Sequence, residues 1–211
     1  MVGQDQAAEE LKALLVEQGV KLHLFSVSER KTIQKIRFVS LNQQLLRCDI
    51  DNSFADISHA TLHEFFKTII SDQDVCIISD YAKGTVINPQ FYIQQARACD
   101  VPVLVDPKGE DFSRYAGASM IKPNLKEFGV AFGSSVSELG PPEVAQRFMQ
   151  TSDVNSVLLT QGAGGMTLFQ KDKSPRLFFC EQFDIKDVSG AGDTVIATTA
   201  LALSLQQSLE D

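Results

Sequence analysis

The chain has 211 residues, is 44% hydrophobic and carries a formal net charge of −8. That length and apolar content allow a sizeable core, and no shift in composition marks a second domain, so residues 1–211 read as one globular domain. The acidic balance disfavours nucleic acid as a partner, and no apolar run approaches the about 20 residues needed to cross a bilayer.

Gln4 to Gln18 reads as an amphipathic helix with Leu11, Leu14 and Leu15 on one face and Gly19 placed to end it. Lys21 to Phe25 reads as a short strand. Thr32 to Val39 alternates as a strand with one or both faces partly covered, and Leu45 to Ile50 as another, with a turn containing Asn42 between them. From there β-rich apolar runs alternate with helical spacing. The runs are Val75 to Ser79, Val101 to Val105, Ala118 to Ile121 and Val157 to Thr160; the helical stretches are Pro89 to Ala98, Asn124 to Phe132 and Pro142 to Gln150. Such alternation argues for a parallel sheet with right-handed crossovers, whose ligands collect at the carboxyl ends of the strands. Each of those ends is polar here: Asp80-Tyr81-Ala82-Lys83-Gly84, Asp106-Pro107-Lys108-Gly109, Lys122-Pro123-Asn124 and Thr160-Gln161-Gly162. Arg47, Lys83, Lys108 and Lys122 bring cations to loops in or near that edge, enough for a small phosphorylated ligand despite the acidic total.

The richest segment is Asp187-Val188-Ser189-Gly190-Ala191-Gly192-Asp193-Thr194, just ahead of an apolar helix from Thr194 to Leu205. Glycines let the backbone approach a ligand closely, and the free N–H groups of a helix's first turn attract anions. Asp193 beside such a nest is suited to take a proton from a hydroxyl while the nest holds the phosphoryl group under attack. The plainer alternative is an ordinary glycine-rich loop with Asp193 as a helix cap.

Other motifs are set aside. No G-x-x-x-x-G-K-[ST] occurs. Gly162-Ala163-Gly164-Gly165 lacks dinucleotide spacing and precedes a strand-like run, Met166 to Phe169. His59 and His63 are four apart but lack a third metal ligand, so a capped surface helix is the better reading. Cys48, Cys76, Cys99 and Cys180 are widely spaced and read as reduced, mostly buried thiols. With no basic segment leading into an apolar core at the start, the expectation is a cytoplasmic protein with no membrane partner.

On these residues the chain resembles the ribokinase-like (PfkB-type) sugar kinases. Asp187 to Thr194 is similar to their D-x-[ST]-G-A-G-D signature. Asn124-Leu125-Lys126-Glu127 resembles their N-x-x-E motif for Mg²⁺ and phosphate, and Thr160-Gln161-Gly162 through Gly165 resembles their nucleotide-binding T-x-G-x-x-G turn. Within the family, four stretches resemble the kinases of D-glycero-D-manno-heptose 7-phosphate: Asn42 to Arg47, Ser79 to Gly84, Asp106 to Gly109 with Asp111-Phe112, and Lys122 to Asn124 with Glu127-Phe128.

The resemblance implies an α/β fold, a ribokinase-like parallel-sheet sandwich flanked by helices. It implies transfer of phosphate from ATP to the anomeric hydroxyl of heptose 7-phosphate, for ADP-heptose and lipopolysaccharide core synthesis. Asp193 would accept the proton, and Gly190, Ala191 and Gly192 would form the anion hole. Asn124, Thr160, Gly162 and Gly165 would serve the nucleotide, Glu127 and Asn124 the Mg²⁺, and Asn42, Arg47, Asp80, Lys83 and Lys108 the substrate. A monovalent cation near Asp187 and Ser189 and a homodimer are further implications. The family's opening strand, lid strands and Gly-Gly-x-x-x-Asn motif have no counterpart here, Val2-Gly3-Gln4-Asp5 resembling the segment that follows them. The chain is therefore expected to lack the N-terminal strand and lid, to be truncated at both ends, and to show negligible kinase activity in isolation; kinetic effects of its residues are expected in an active, full-length context. Two alternatives stay open: a kinase of the same fold acting on another sugar or a vitamin precursor, and an inactive nucleotide-binding fragment.

Overall fold

A computed structural model describes residues 1–40, 43–180 and 190–210. Asn42, Asp187 and Ser189, and with them the cation site expected near the last two, lie outside the described residues. The chain divides into two compact units, Met1–Leu62 with Lys83–Thr85, and His63–Ala82 with Val86–Asp211.

In the first unit, β1 (Val2–Gly3) pairs in parallel with β2 (Ser26–Val27), and α1 (Gln6–Glu17) connects them. Asp5 starts that helix, accepting the Ala8 N–H at 3.0 Å, and also accepts the Thr32 hydroxyl at 2.6 Å and the Thr32 N–H at 2.8 Å. Those bonds, the Thr32 hydroxyl foremost, hold its carboxyl below the usual carboxylate range. The strand expected over Lys21 to Phe25 is instead β2, immediately downstream: β1 offers only two residues to pair with, and Phe25 contributes a single carbonyl to the Val2 N–H at 3.0 Å. β3 (Gln34–Ser40) and β4 (Gln43–Ile50) form an antiparallel ribbon with a register shift between Phe38 and Val39. The cover expected for the Thr32 to Val39 segment is present only at its start, where Thr32 is buried and Ile33 and Gln34 are half-buried, while Phe38 and Val39, and Leu45 and Leu46 on the paired strand, are exposed. His59 departs from the surface reading too. It is 5% exposed, ahead of α2 (Ala60–Ile69), with Nδ1 2.6 Å from the Ile57 carbonyl and Nε2 2.7 Å from the Gly84 carbonyl.

The second unit is built on a six-stranded sheet among the described residues. Its strands are β5 (Cys76–Ser79), β6 (Val103–Asp106), β7 (Met120–Ile121), β8 (Ser156–Thr160), β9 (Met166–Gln170) and β10 (Arg176–Phe178), in the order β10-β9-β8-β7-β6-β5. β5 to β8 are parallel as expected, and α3 (Pro89–Arg97) and α6 (Pro141–Ser152) lie in crossovers between them, with α4 (Leu125–Phe132) and α5 (Ser134–Leu139). β9 and β10 are antiparallel, so the sheet is mixed and not purely parallel. The reason is chain length: residues 161–165 join β8 to β9, and a parallel crossover needs about a dozen.

α7 (Ala191–Ser204) covers one face of this sheet. Its Ile196 and Ala200 pack on Leu104, Met120, Leu158 and Leu168. Alternation along the strands sends Val103, Val105, Ile121, Val157 and Leu159 to the other face, all fully buried. Among the described residues, no helix is long and apolar enough to cross a membrane.

The cysteines correct the sequence reading. None of the four forms a disulfide among the described residues, but Cys48, Cys99 and Cys180 are exposed and only Cys76, on β5, is substantially covered. Burial pushes the Cys76 thiol up to about 11, so at pH 8 its thiolate is scarce. A thiol titration of the folded protein with a disulfide reagent is expected to show three fast cysteines and one slow one, which becomes fast on unfolding. Four equally fast cysteines would contradict the packing of β5.

Candidate active site

The carboxyl ends of four parallel strands deliver polar side chains to one edge of the second unit. β5 leads into Asp80 and Tyr81, β6 ends at Asp106, β7 leads into Lys122-Pro123-Asn124, and β8 ends at Thr160. Backbone bonds stitch these ends together: Asp80 N–H to the Asp106 carbonyl at 3.1 Å, Lys122 N–H to Val105 at 2.8 Å, and Thr160 N–H to Pro123 at 3.0 Å.

α7 brings its N-terminus to the same set. Gly190 is the N-cap, in the left-handed conformation at φ 78°, which glycine adopts freely. Ala191, Gly192 and Asp193 form the first turn, whose N–H groups have no intrahelical acceptor. The helix starts earlier than the expected Thr194, and Asp193 therefore sits at its third position, exposed, where the helix dipole favours a carboxylate. The Tyr81 hydroxyl donates to Asp193 Oδ1 at 3.3 Å. Burial, and then the Asp193 charge, push the Tyr81 hydroxyl above its ordinary value.

Asn124 and Glu127 form a capping box at the start of α4. Asn124 Oδ1 accepts the Glu127 N–H at 2.9 Å, and Glu127 Oε2 accepts the Asn124 N–H at 3.0 Å. Glu127 Oε1 lies 2.9 Å from Lys108 Nζ. Asp106 is ion-paired with Lys122 at 3.1 Å. Burial pushes the Asp106 carboxyl up, against the pull of Lys122, and the Glu127 and Asp193 charges push the same way as burial. Asp106 therefore feels both neighbouring carboxylates, with Lys122 as its own counter-charge and Lys108 as that of Glu127.

Asp80 is 4% exposed and fully engaged. Its Oδ1 accepts the Ala82 N–H at 2.7 Å, its Oδ2 accepts the Tyr115 hydroxyl at 2.8 Å, and Arg114 lies 3.5 Å away. Tyr115 in turn accepts the Lys108 N–H at 3.2 Å, so Asp80 holds the Lys108 loop at one remove.

The β8–β9 turn separates its two glycines by role. Gly162 has φ +59° and open space where a side chain would be, whereas a Cβ on Gly165 would stand 2.0 Å from the Phe178 carbonyl oxygen. Thr160 Oγ1 donates to the Pro123 carbonyl at 3.4 Å.

Arg47 and Lys83 belong to the first unit and are ion-paired there. Arg47 grips Asp49 through two bonds of 2.7 and 2.6 Å, which raise its already high pKa, and Lys83 pairs with Asp51. Tyr81, Tyr115 and Asp106 are not among the site residues expected from the sequence, and Lys122 is expected there only as a charge. Their common signal is position, within one or two residues of a parallel strand's carboxyl end, or a pairing across 35 positions in the case of Asp80 and Tyr115.

The fold is that of the ribokinases. The structure of ribokinase from Giardia lamblia superposes with a TM-score of 0.78 at 17% identity, over 97% of this chain and 65% of that one. Arabidopsis thaliana ribokinase complexed with ribose and ATP does so with a TM-score of 0.75 at 20% identity, over 99% and 69%. The family follows from sequence. The pattern of the pfkB family carbohydrate kinases matches residues 1–211. The bifunctional protein HldE of Pectobacterium atrosepticum is 40% identical over 211 residues, and that of Salmonella paratyphi B 39%, each match covering 100% of this chain and 44% of the relative. The chain belongs to the pfkB family of carbohydrate kinases, and it spans less than half the length of these two relatives.

Proposed function

We propose that the protein transfers the γ-phosphoryl group of ATP to the anomeric hydroxyl of D-glycero-D-manno-heptose 7-phosphate, giving heptose 1,7-bisphosphate on the route to ADP-heptose. The observation that carries this reading is the carboxylate of Asp193 in the first turn of α7, beside N–H groups that have no acceptor within the helix. In the step, Asp193 takes the hydroxyl proton and the sugar oxygen bonds to the γ-phosphorus. The bond from that phosphorus to the bridging oxygen breaks, and ADP leaves with the electron pair. The N–H groups of Ala191 and Gly192, behind the Gly190 cap, stabilise charge on the transferring group, where most catalysis of phosphoryl transfer resides.

Asn124, Thr160 and the open side of Gly162 serve the nucleotide in this reading; Gly165 shapes the turn, and Asp80 positions Lys108. Arg47 and Lys83 are cations that a sugar phosphate would draw from Asp49 and Asp51. Asn42 is a further substrate residue by its place in the sequence motif.

The residues fit Mg²⁺, which is usually held by one or two carboxylates, waters and substrate phosphates and not by an all-protein cage. Among the described residues no group of three or more His, Cys, Asp or Glu side chains forms such a cage. Glu127 is the carboxylate to hold the ion, because its Oε1 is committed only to the half-exposed Lys108. Bound there, the ion supplies neutralisation of phosphate charge. Glu127→Gln is expected to raise the Mg²⁺ concentration for half-maximal activity by about tenfold, read from initial rates against Mg²⁺. An unchanged dependence would leave Glu127 as a helix cap.

A coupled ADP-release assay with heptose 7-phosphate, fructose 1-phosphate and hydroxymethylpyrimidine tests the acceptor. The highest kcat/KM is expected for heptose 7-phosphate. A higher value for either competitor would transfer the reading to another sugar or to a vitamin precursor.

A further inference from the structure

Gly190 and Gly192 flank Ala191 for different reasons. Gly190 needs its left-handed backbone, and among the described residues no atom lies within 4 Å of where its side chain would be. Gly192 has no such backbone, since it lies within α7 with ordinary helical conformation. Alanine would be the better helix former there. A Cβ at Gly192 would, however, stand 3.0 Å from Lys122 Nζ. The second glycine thus makes room for an ammonium group.

Lys122 is placed there firmly. Its N–H is bonded to Val105, Pro123 follows it, and only 3% of the residue is exposed. A buried ammonium is costly unless paired, and the carboxylate of Asp106 at 3.1 Å is its partner. Three carboxylates, Asp106, Glu127 and Asp193, share this edge. A cation shielded from water beside them acts on nearby charge more strongly than an exposed lysine could.

We infer that Lys122 is a positioning residue of the phosphoryl-transfer site: held by Asp106, its ammonium fixes the Gly192 turn and sets a permanent positive charge beside the anion hole. The inference rests on the kinase reading above. It assigns Gly192 a partner, and it makes the Lys122–Asp106 pair part of the site and not an ornament of the sheet.

The test is a mutant cycle between Lys122→Met and Gly192→Ala. Lys122→Met should lower kcat by about 10²–10³-fold while the ATP dissociation constant moves by less than about threefold. Gly192→Ala alone should lower kcat by displacing the ammonium, and on the Lys122→Met background it should cost less than about threefold more. Binding of ADP with aluminium fluoride, a mimic of the transferring phosphoryl, reads the same effect without turnover: the fluoride should tighten ADP binding in the wild type and not in Lys122→Met. Should Lys122→Met fail to fold because Asp106 is left unpaired, Lys122→Met with Asp106→Asn removes both charges, and the same loss of fluoride-dependent tightening is expected. A wild type that is active, with Lys122→Met equally active or the Gly192→Ala loss undiminished beside it, overturns the inference alone. A wild type with neither turnover nor fluoride-tightened ADP binding overturns the kinase reading and the inference with it.

Discussion

Asp193→Asn is expected to lower kcat by about 10²–10⁴-fold, the usual worth of a positioned general base. Asparagine has the same shape, is tolerated in the first turn of a helix, and can still accept the Tyr81 hydroxyl bond seen at 3.3 Å. What it cannot do is take a proton. Because the interaction lost belongs to the transition state, kcat and kcat/KM should fall together and the ATP dissociation constant should stay within about threefold. Steady-state kinetics and calorimetric ATP titration of the same preparation measure both. Wild-type turnover by the variant would remove Asp193 as the base and leave it a helix cap.

The second large effect is on stability. Gly165→Ala is expected to destabilise the fold by more than about 3 kcal/mol. The backbone there, φ 83° and ψ −136°, lies where a non-glycine residue is strained by about 1–3 kcal/mol. The new Cβ would also meet the Phe178 carbonyl oxygen at 2.0 Å and the Cys180 nitrogen at 3.0 Å. Both are backbone atoms, so relief requires β10 to move away from β9. Gly162→Ala is the internal control. Its φ of +59° costs about 1–2 kcal/mol in a left-handed conformation, but among the described residues nothing stands within 4 Å of the added methyl. Urea unfolding midpoints of the two variants compare them directly. Equal losses would mean that the β9–β10 contact at Gly165 is not the constraint described.

What could be read from the sequence was local. α3, α4 and α6 appear at the expected places, and α7 one turn earlier, because apolar spacing and end signals lie within each segment: Pro89 at the start of α3, Asn124 with Glu127 on α4. The strand-end motifs also fall on one edge, since a parallel sheet with crossover helices leaves them no other place. Pairings over distance were not legible. Nothing local says that Tyr115 reaches Asp80, or that Lys122 is buried against Asp106 with Gly192 making room. The thiols misled for a similar reason: Cys48 lies on β4 and Cys99 just after α3, yet both are exposed. β9 was visible as a strand, and its direction was set by the five residues before it and not by its own composition.

Phosphorus NMR of the protein incubated with MgATP and D-glycero-D-manno-heptose 7-phosphate tests the central claim most directly. The account predicts stoichiometric ADP and a second sugar phosphoester at the anomeric carbon, with formation slowed by Asp193→Asn. ATP left intact in the presence of heptose 7-phosphate, or ADP formed without a new anomeric phosphoester, would contradict it.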